Sequence, residues 1–186
     1  MNSKKVSLII VFTALAAFLN ISPIKIPAPY APFLIYQLWE IPIVAVSLLY
    51  GYSLGVAVSI LNTLILFVVY PGALPTGPIY NMLAVLTMLV GIHLGKRLTG
   101  RFDEGGSGTP SLIIWTFLGM SLRAAGMSIV NLICLPLPPP IGFSMPSVVV
   151  IGLLPAIAFF NASIVLYTVP IGSLLVKAIR SRIKNL

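Results

Sequence analysis

Charged residues are scarce in this sequence, and acidic residues are the scarcest. Only 8% of the 186 residues are charged and three are acidic, whereas 59% are hydrophobic. A soluble domain usually has about a quarter of its residues charged, so this chain lacks the side chains to cover a water-facing surface. Six apolar segments of about 20 residues, the length that crosses a bilayer, account for most of the chain. The composition therefore predicts an all-α integral membrane protein with six transmembrane helices.

Cysteine and histidine are almost absent, with one residue of each, Cys134 and His93. A single thiol excludes an internal disulfide, and the two residues together cannot supply a four-ligand metal site. No Gly-x-x-x-x-Gly-Lys-Ser/Thr sequence occurs, so we do not expect the chain to hydrolyse ATP. No Ser/His/acid set stands out either. We therefore predict neither a metal site nor catalytic residues.

The apolar segments predict a single membrane domain over residues 1–186. The predicted spans are about 6–21, 33–50, 53–70, 79–94, 111–135 and 148–176. A hydrophilic, glycine-rich stretch at 99–110 is predicted to be a linker. The connections 22–32, 71–78 and 136–147 are rich in proline or glycine, and proline lowers the entropy that a loop loses when it folds over a ligand.

Basic residues gather at alternate ends of these segments. Nine of the 11 do so: Lys4, Lys5, Lys96, Arg97, Arg101, Lys177, Arg180, Arg182 and Lys184. The positive-inside rule then places both termini and the linker in the cytoplasm. The predicted location of the protein is the cell (plasma) membrane, which it crosses several times. The lipid bilayer is the expected partner of these charges. Nucleic-acid binding is not expected, because no aromatic and basic surface for stacking bases accompanies them.

Several polar side chains lie inside predicted spans, where they are costly unless paired or facing a cavity. They are Glu40, Asn62, Asn81, Arg123, Asn131 and Asn161. On the fifth helix, residues three or four apart share a face, and here they are Arg123, Met127, Asn131 and Cys134. Such a face suits a planar, partly polar ligand. The alternative is that the amides only hold helices together, and that Glu40 and Arg123 form a structural ion pair.

The first helix carries small residues on one face, with Thr13 and Ala17 four apart and Ala14 and Ala16 beside them. Small residues let another helix approach closely.

Taken together, these segments resemble the S component of energy-coupling-factor vitamin transporters. The similarity covers essentially the whole chain, including the first helix (TALAAFLN), the second-to-third helix unit (EIPIVAVSLLYGYSLGVAVSILNTLI) and the fourth helix (GPIYNMLAVLTMLVGIHLGKR). The fifth-helix sequence RAAGMSIVNLICLP and the pair Phe160-Asn161 are most similar to the riboflavin-specific branch.

The resemblance implies a high-affinity substrate-binding subunit of an ATP-driven importer, with the vitamin as cargo and no cofactor. It implies docking on a membrane coupling protein that carries two ATPase subunits, and ligand capture under a gating loop between the first two helices. By resemblance, Asn131 and Asn161 bond the flavin rings. The other predicted binding residues are Asn81, Glu40, Arg123, Met127 and Tyr30. The predicted coupling face is formed by Thr13, Ala14 and Ala17.

Two alternatives remain open. Ile164 stands where the riboflavin branch usually has a lysine, which keeps thiamine, biotin, a pyrimidine precursor or another small heterocycle as candidate ligands. The second alternative is a small membrane enzyme that uses Glu40 and Arg123 in chemistry. The scarcity of acids, bases and nucleophiles argues against it.

Overall fold

A computed structural model of the chain describes residues 3–69, 74–100 and 109–182. In these ranges the chain forms six helices and one two-stranded hairpin. The elements are α1 Ser3–Ile21, β1 Ile26–Ala28, β2 Ala31–Tyr36, α2 Glu40–Tyr50, α3 Tyr52–Val69, α4 Gly77–Thr99, α5 Thr109–Cys134 and α6 Ser147–Arg182. The six predicted helices are therefore present.

The hairpin corrects two predictions. The fold is not purely α-helical, and the second helix begins at Glu40 rather than near residue 33. Strand β2 pairs antiparallel with β1, and Ile26 lies opposite Tyr36. The apolar run 33–39 has no period that distinguishes a strand from a helix. The prolines that precede it lack backbone N–H donors and fit an edge strand better than a helix interior.

Other boundaries differ from the prediction by a few residues. The sixth helix is longer at both ends and continues to Arg182. The predicted linker at 99–110 is helical at Thr99 and from Thr109 onwards, and its centre, 101–108, lies outside the described residues.

Within the described residues, four helices are long and apolar enough to cross a membrane. They are Tyr52–Val69, Gly77–Thr99, Pro110–Cys134 and Ser147–Arg182. The apolar helices Lys5–Ile21 and Glu40–Tyr50 are shorter. These lengths support a multi-pass membrane protein, while six crossings and cytoplasmic termini stay predictions.

Helix α2 lies at the centre of the bundle. Every residue from Glu40 to Leu48 is buried, and α1, α3, α4 and α6 all contact this helix. At the end of α2 the Lys96 ammonium donates a hydrogen bond to the Leu48 carbonyl, 3.2 Å away. A lysine here satisfies one of the carbonyls that a helix leaves unpaired at its C-terminus. We call this side of the bundle, marked by Lys96 and Arg97, the basic end.

Helices α4 and α5 pack closely together where Gly91 faces Gly119. A Cβ atom added at Gly91 would lie 2.6 Å from the Cα atom of Gly119 and would also meet the Leu118 carbonyl. Backbone atoms cannot move aside as a flexible side chain can, so the helices would have to separate. Small residues serve the same purpose in other membrane bundles, where close packing drives helix association.

Gly91→Ala is therefore expected to destabilise the protein by about 1–3 kcal/mol, the usual cost of overpacking. Gly152→Ala on α6 is the matched control, because a Cβ atom there meets nothing within 4 Å. Unfolding of both variants in detergent, followed by circular dichroism, measures the difference. Equal stability of the two variants would contradict the close approach at Gly91.

Candidate functional site

A cavity occupies the half of the bundle opposite the basic end, and the shortness of α2 explains its position. An 11-residue helix is only about 16 Å long at 1.5 Å per residue, whereas a bilayer core is about 30 Å thick. Helix α2 therefore occupies the centre of the bundle only from the basic end to about half of the bilayer depth. On the other side of Glu40, the hairpin and the cavity occupy the space that a longer α2 would fill.

The cavity has a volume of about 540 Å³, within the range of sites that bind small organic molecules. Its walls come from β2, α4, α5, α6 and the segments that precede α4 and α6. The lining residues are Leu34, Leu74, Gly77, Tyr80, Asn81, Ala84, Arg123, Met127, Asn131, Leu135, Phe143, Met145, Leu153, Ile157, Phe160 and Asn161. Most of this surface is apolar, with amides and a guanidinium at separate places.

Arg123 lines one end of the cavity, here called its floor, and forms a buried ion pair with Glu40. Arg123 donates to both carboxylate oxygens of Glu40, and its Nη2 atom lies 2.8 Å from Oε1. The Nε atom donates to Asn161 Oδ1 at 3.1 Å. Both charged residues are almost fully buried, at 4% and 3% exposure. Because Glu40 is the first residue of α2, the positive end of the helix dipole also favours its negative charge.

Two of the predicted asparagines use part of their amide groups within their own helices. Asn131 Nδ2 donates to the Met127 carbonyl at 2.7 Å, and Asn161 Nδ2 donates to the Ile157 carbonyl at 2.9 Å. Each NH2 group carries two hydrogens and each amide oxygen has two lone pairs. Both side chains line the cavity, and both retain hydrogen-bonding capacity for a ligand.

The segment between α5 and α6 covers the cavity on the side away from Arg123. Leu135, Phe143 and Met145 line the cavity. The segment is fixed to the start of α4, because Thr76 Oγ1 donates to the Pro140 carbonyl at 2.6 Å. The Tyr80 hydroxyl likewise donates to the Ile141 carbonyl at 2.6 Å. These bonds hold the cover without adding charge to the cavity.

The hairpin is attached to α6 by hydroxyl groups. The hydroxyls of Tyr30 and Tyr36 are 2.7 Å apart, and Tyr36 lies 2.8 Å from the Ser163 hydroxyl. Partial burial and then the hydrogen bond with Tyr36 raise the pKa of Tyr30 to about 12, so the Tyr30 hydroxyl stays protonated at neutral pH. Tyr30 also packs edge-on against Phe159. Tyr30 is thus part of the hairpin attachment and does not line the cavity.

The structure brings together most of the predicted binding residues. Asn81, Arg123, Met127, Asn131 and Asn161 line the cavity. Glu40 lies behind Arg123 rather than on the cavity surface. Tyr30 lies in the hairpin attachment, outside the cavity lining.

Other lining residues were not identified from the sequence, although a periodic signal was present. Cavity residues continue at four-residue spacing from those already identified: Leu135 follows Asn131, and Ile157 and Leu153 precede Asn161. The lining residues therefore continue to Leu135, one residue beyond the end of α5, whereas Cys134 of the predicted face does not line the cavity. Tyr80 lies beside Asn81 and reaches the cavity from the same turn of α4.

Two of the three residues predicted for the coupling face lie inside the bundle. Thr13 and Ala17 are buried inside the bundle together with Ala16, where α1 contacts α2 and α3. Small residues do permit a close helix approach here, but the approaching helices belong to the same chain. Of the predicted coupling residues, Ala14 alone is exposed. Contact of a partner with Ala14 stays a prediction.

The ion pair predicts a specific pattern of stability. Glu40→Leu should destabilise the protein by about 3–5 kcal/mol, because it leaves a buried guanidinium without a counter-charge. The double variant Glu40→Leu/Arg123→Leu removes both charges and should recover most of that loss. Equilibrium unfolding of the three proteins in mixed detergent micelles measures the pattern. A double variant no more stable than the single variant would contradict a tightly coupled pair.

Comparison with known proteins identifies the fold. No protein-family model and no curated protein matches the sequence. A solved structure, described as that of the S component of a bacterial ECF (energy-coupling-factor) transporter, aligns over 100% of both chains with a TM-score of 0.77 and 23% identity. The similarity to S components inferred from the sequence is therefore confirmed by the structure: the chain has the fold of an energy-coupling-factor transporter S component.

Proposed function

We propose that this protein is the high-affinity substrate-binding subunit of an ATP-driven energy-coupling-factor importer in the cell membrane. The observation that carries the proposal is the cavity of about 540 Å³, which lies inside an S-component fold and combines apolar walls with amide groups. The substrate class that fits it is an uncharged, planar heterocycle. Riboflavin or a related flavin is the first candidate.

The chemistry of the walls supports a planar ligand. Leu34, Phe143 and Phe160 offer apolar contact surface from different sides of the cavity. Asn131 and Asn161 offer amide donors and acceptors, which pair with the lactam or imide edge of a heterocycle. Apolar contact supplies most of the affinity in such sites, while a few polar groups fix the orientation.

The alternative vitamins differ in charge. Thiamine is a cation and biotin carries a carboxylate, and each would need a counter-charge in a largely apolar site. Arg123, the charged residue among the described lining residues, is already paired with Glu40. Ile164, at the position of the lysine usual in the riboflavin branch, packs with Ala28 and Phe160 and adds no charge. A neutral flavin or a neutral pyrimidine precursor therefore fits better.

The proposed partners are a membrane coupling protein and two ATPase subunits, which would supply the energy for transport. Sequence provides no nucleotide-binding motif in this chain, and the fold is that of a subunit of such a transporter. The exposed side of α1, which includes Ala14, Val11 and Phe18, is the proposed contact region. Use of Glu40 and Arg123 in catalysis is less well supported, because each is the other's partner.

The flavin proposal predicts that the protein carries its ligand through purification. Protein isolated in mild detergent from a riboflavin-replete host should show the visible absorption bands of a flavin at near-stoichiometric amounts. A colourless protein that also fails to bind added riboflavin would overturn the flavin assignment. Mass spectrometry of material released by denaturation would then search for another heterocycle.

Variants of the cavity amides extend the same measurement. Asn131→Ala and Asn161→Ala should each weaken flavin binding, about five- to a hundredfold if one to two hydrogen bonds are lost. Asn62→Ala is the control, because Asn62 is a buried amide on α3 outside the cavity. Equal affinity of all three variants, measured by quenching of flavin fluorescence, would contradict the placement of the ligand.

The coupling proposal predicts that Ala14→Trp impairs uptake and leaves ligand binding unchanged. The large side chain would stand on the exposed side of α1 and obstruct a partner helix. Ile129→Trp is the control, since Ile129 is 59% exposed on α5. Uptake of radiolabelled riboflavin by cells that co-express the coupling protein and ATPases measures the effect. Normal uptake with Ala14→Trp would move the coupling face elsewhere.

A further inference from the structure

We propose that Glu40 sets the charge specificity of the cavity. By holding Arg123 in a bidentate ion pair, Glu40 makes the cavity floor neutral, so that the site accepts uncharged ligands and rejects anions. This inference rests on the proposed function only in assuming that the cavity binds a small molecule. It requires an uncharged ligand but does not require that ligand to be a flavin.

The hydrogen bonds of Arg123 carry the argument. Both terminal nitrogens of the guanidinium donate to Glu40, and Nε donates to Asn161. An arginine has five N–H groups, and its planar fork matches a carboxylate in only a few orientations. Here the matching carboxylate is already present in the protein. An anionic ligand that reaches the floor would have to compete for Arg123 with the Glu40 carboxylate, which is part of the same chain.

The burial of the pair strengthens the effect. An anion that enters a largely apolar cavity loses its hydration and must find compensation there. Among the described lining residues, Arg123 is the charged one, and the Glu40 carboxylate in contact with Arg123 neutralises that charge. The rejection extends to cations by the same reasoning, because the Glu40 carboxylate is occupied by Arg123 and lies behind it.

The position of Glu40 makes the arrangement rigid. Glu40 begins α2, and the residues that follow it are buried without interruption through Leu48. The backbone that carries the carboxylate is therefore held in place beside Arg123 by the packing of the central helix. Arg123 lines the cavity and Glu40 does not. Removal of the Glu40 carboxylate should thus turn the floor into an anion site while the cavity walls stay in place.

Rescue by a small anion tests the proposal. Glu40→Ala should lower the melting temperature, and sodium formate at millimolar concentrations should raise it again by several degrees. Formamide, a neutral molecule of nearly the same shape, should not. Glu40→Leu/Arg123→Leu and the wild-type protein are the controls, and neither should respond to formate beyond the effect of sodium chloride. Lack of a formate effect in Glu40→Ala, or an equal effect in the wild-type protein, would overturn the proposal.

A second variant covers the case in which Glu40→Ala does not fold. Glu40→Gln keeps the shape and one oxygen acceptor for Arg123 but removes the negative charge. Benzoate and benzamide are planar probes that differ in charge, and their affinities can be compared by thermal-shift titration. The ratio of benzoate to benzamide affinity should rise at least about tenfold from the wild-type protein to Glu40→Gln. An unchanged ratio would overturn the proposal.

The two proposals fail separately. Purified protein without flavin, and with no response to added riboflavin, would overturn the flavin assignment and leave the formate and benzoate comparisons to decide the role of Glu40. A flavin-loaded protein whose Glu40 variants show no gain for anions would retain the transport proposal. In that case the ion pair would stabilise the bundle without selecting the ligand.

Discussion

An ion pair in the middle of an apolar bundle must be satisfied completely, and the pair of Glu40 and Arg123 constrains much of the structure around it. Neither charge can be hydrated at that depth, so each depends on the geometry of the other. That geometry fixes where α2 begins, how α5 faces α6, and where Asn161 lies, since Asn161 accepts a hydrogen bond from the guanidinium Nε. Three helices are positioned by one set of hydrogen bonds.

The same pair divides the bundle into two halves of different character. Toward the basic end the core is filled by α2, with Trp115 fully buried and the Lys96 ammonium 5.3 Å from the centre of its ring. Toward the other end α2 does not extend beyond Glu40. There the hairpin and the segment before α6 enclose the cavity. A short central helix thus makes room for a ligand without enlarging the bundle.

The sequence was informative where a feature depended on single residues or on short stretches of the chain. Scarcity of charge predicted a membrane protein, and six apolar segments of membrane-spanning length predicted six helices. The cost of burying Glu40, Arg123 and Asn161 indicated a shared interior site. The family resemblance, carried by short segments, also gave the correct fold.

The sequence was less informative where the outcome depended on packing between distant segments. The strand at Ala31–Tyr36 is as apolar as a helix would be, and only its pairing with β1 and contact with α6 distinguish it. The small residues Thr13 and Ala17 indicated a close helix contact but not which helix makes it. Leu34 lies in strand β2 and Phe143 in the irregular segment before α6. Helical spacing therefore cannot identify them as cavity residues.

Helix α2 connects the two halves directly. Its first residue holds the cavity floor through Arg123, and near its last turn the Leu48 carbonyl accepts a bond from Lys96 at the basic end. A helix of this length moves as a rigid body, because its side chains are packed on every side. Any ligand that alters the ion pair must therefore either leave α2 in place or displace it as a unit. A floor that is neutral and already paired favours the first outcome, so the substrate that fits best is one that binds beside the pair and leaves it intact.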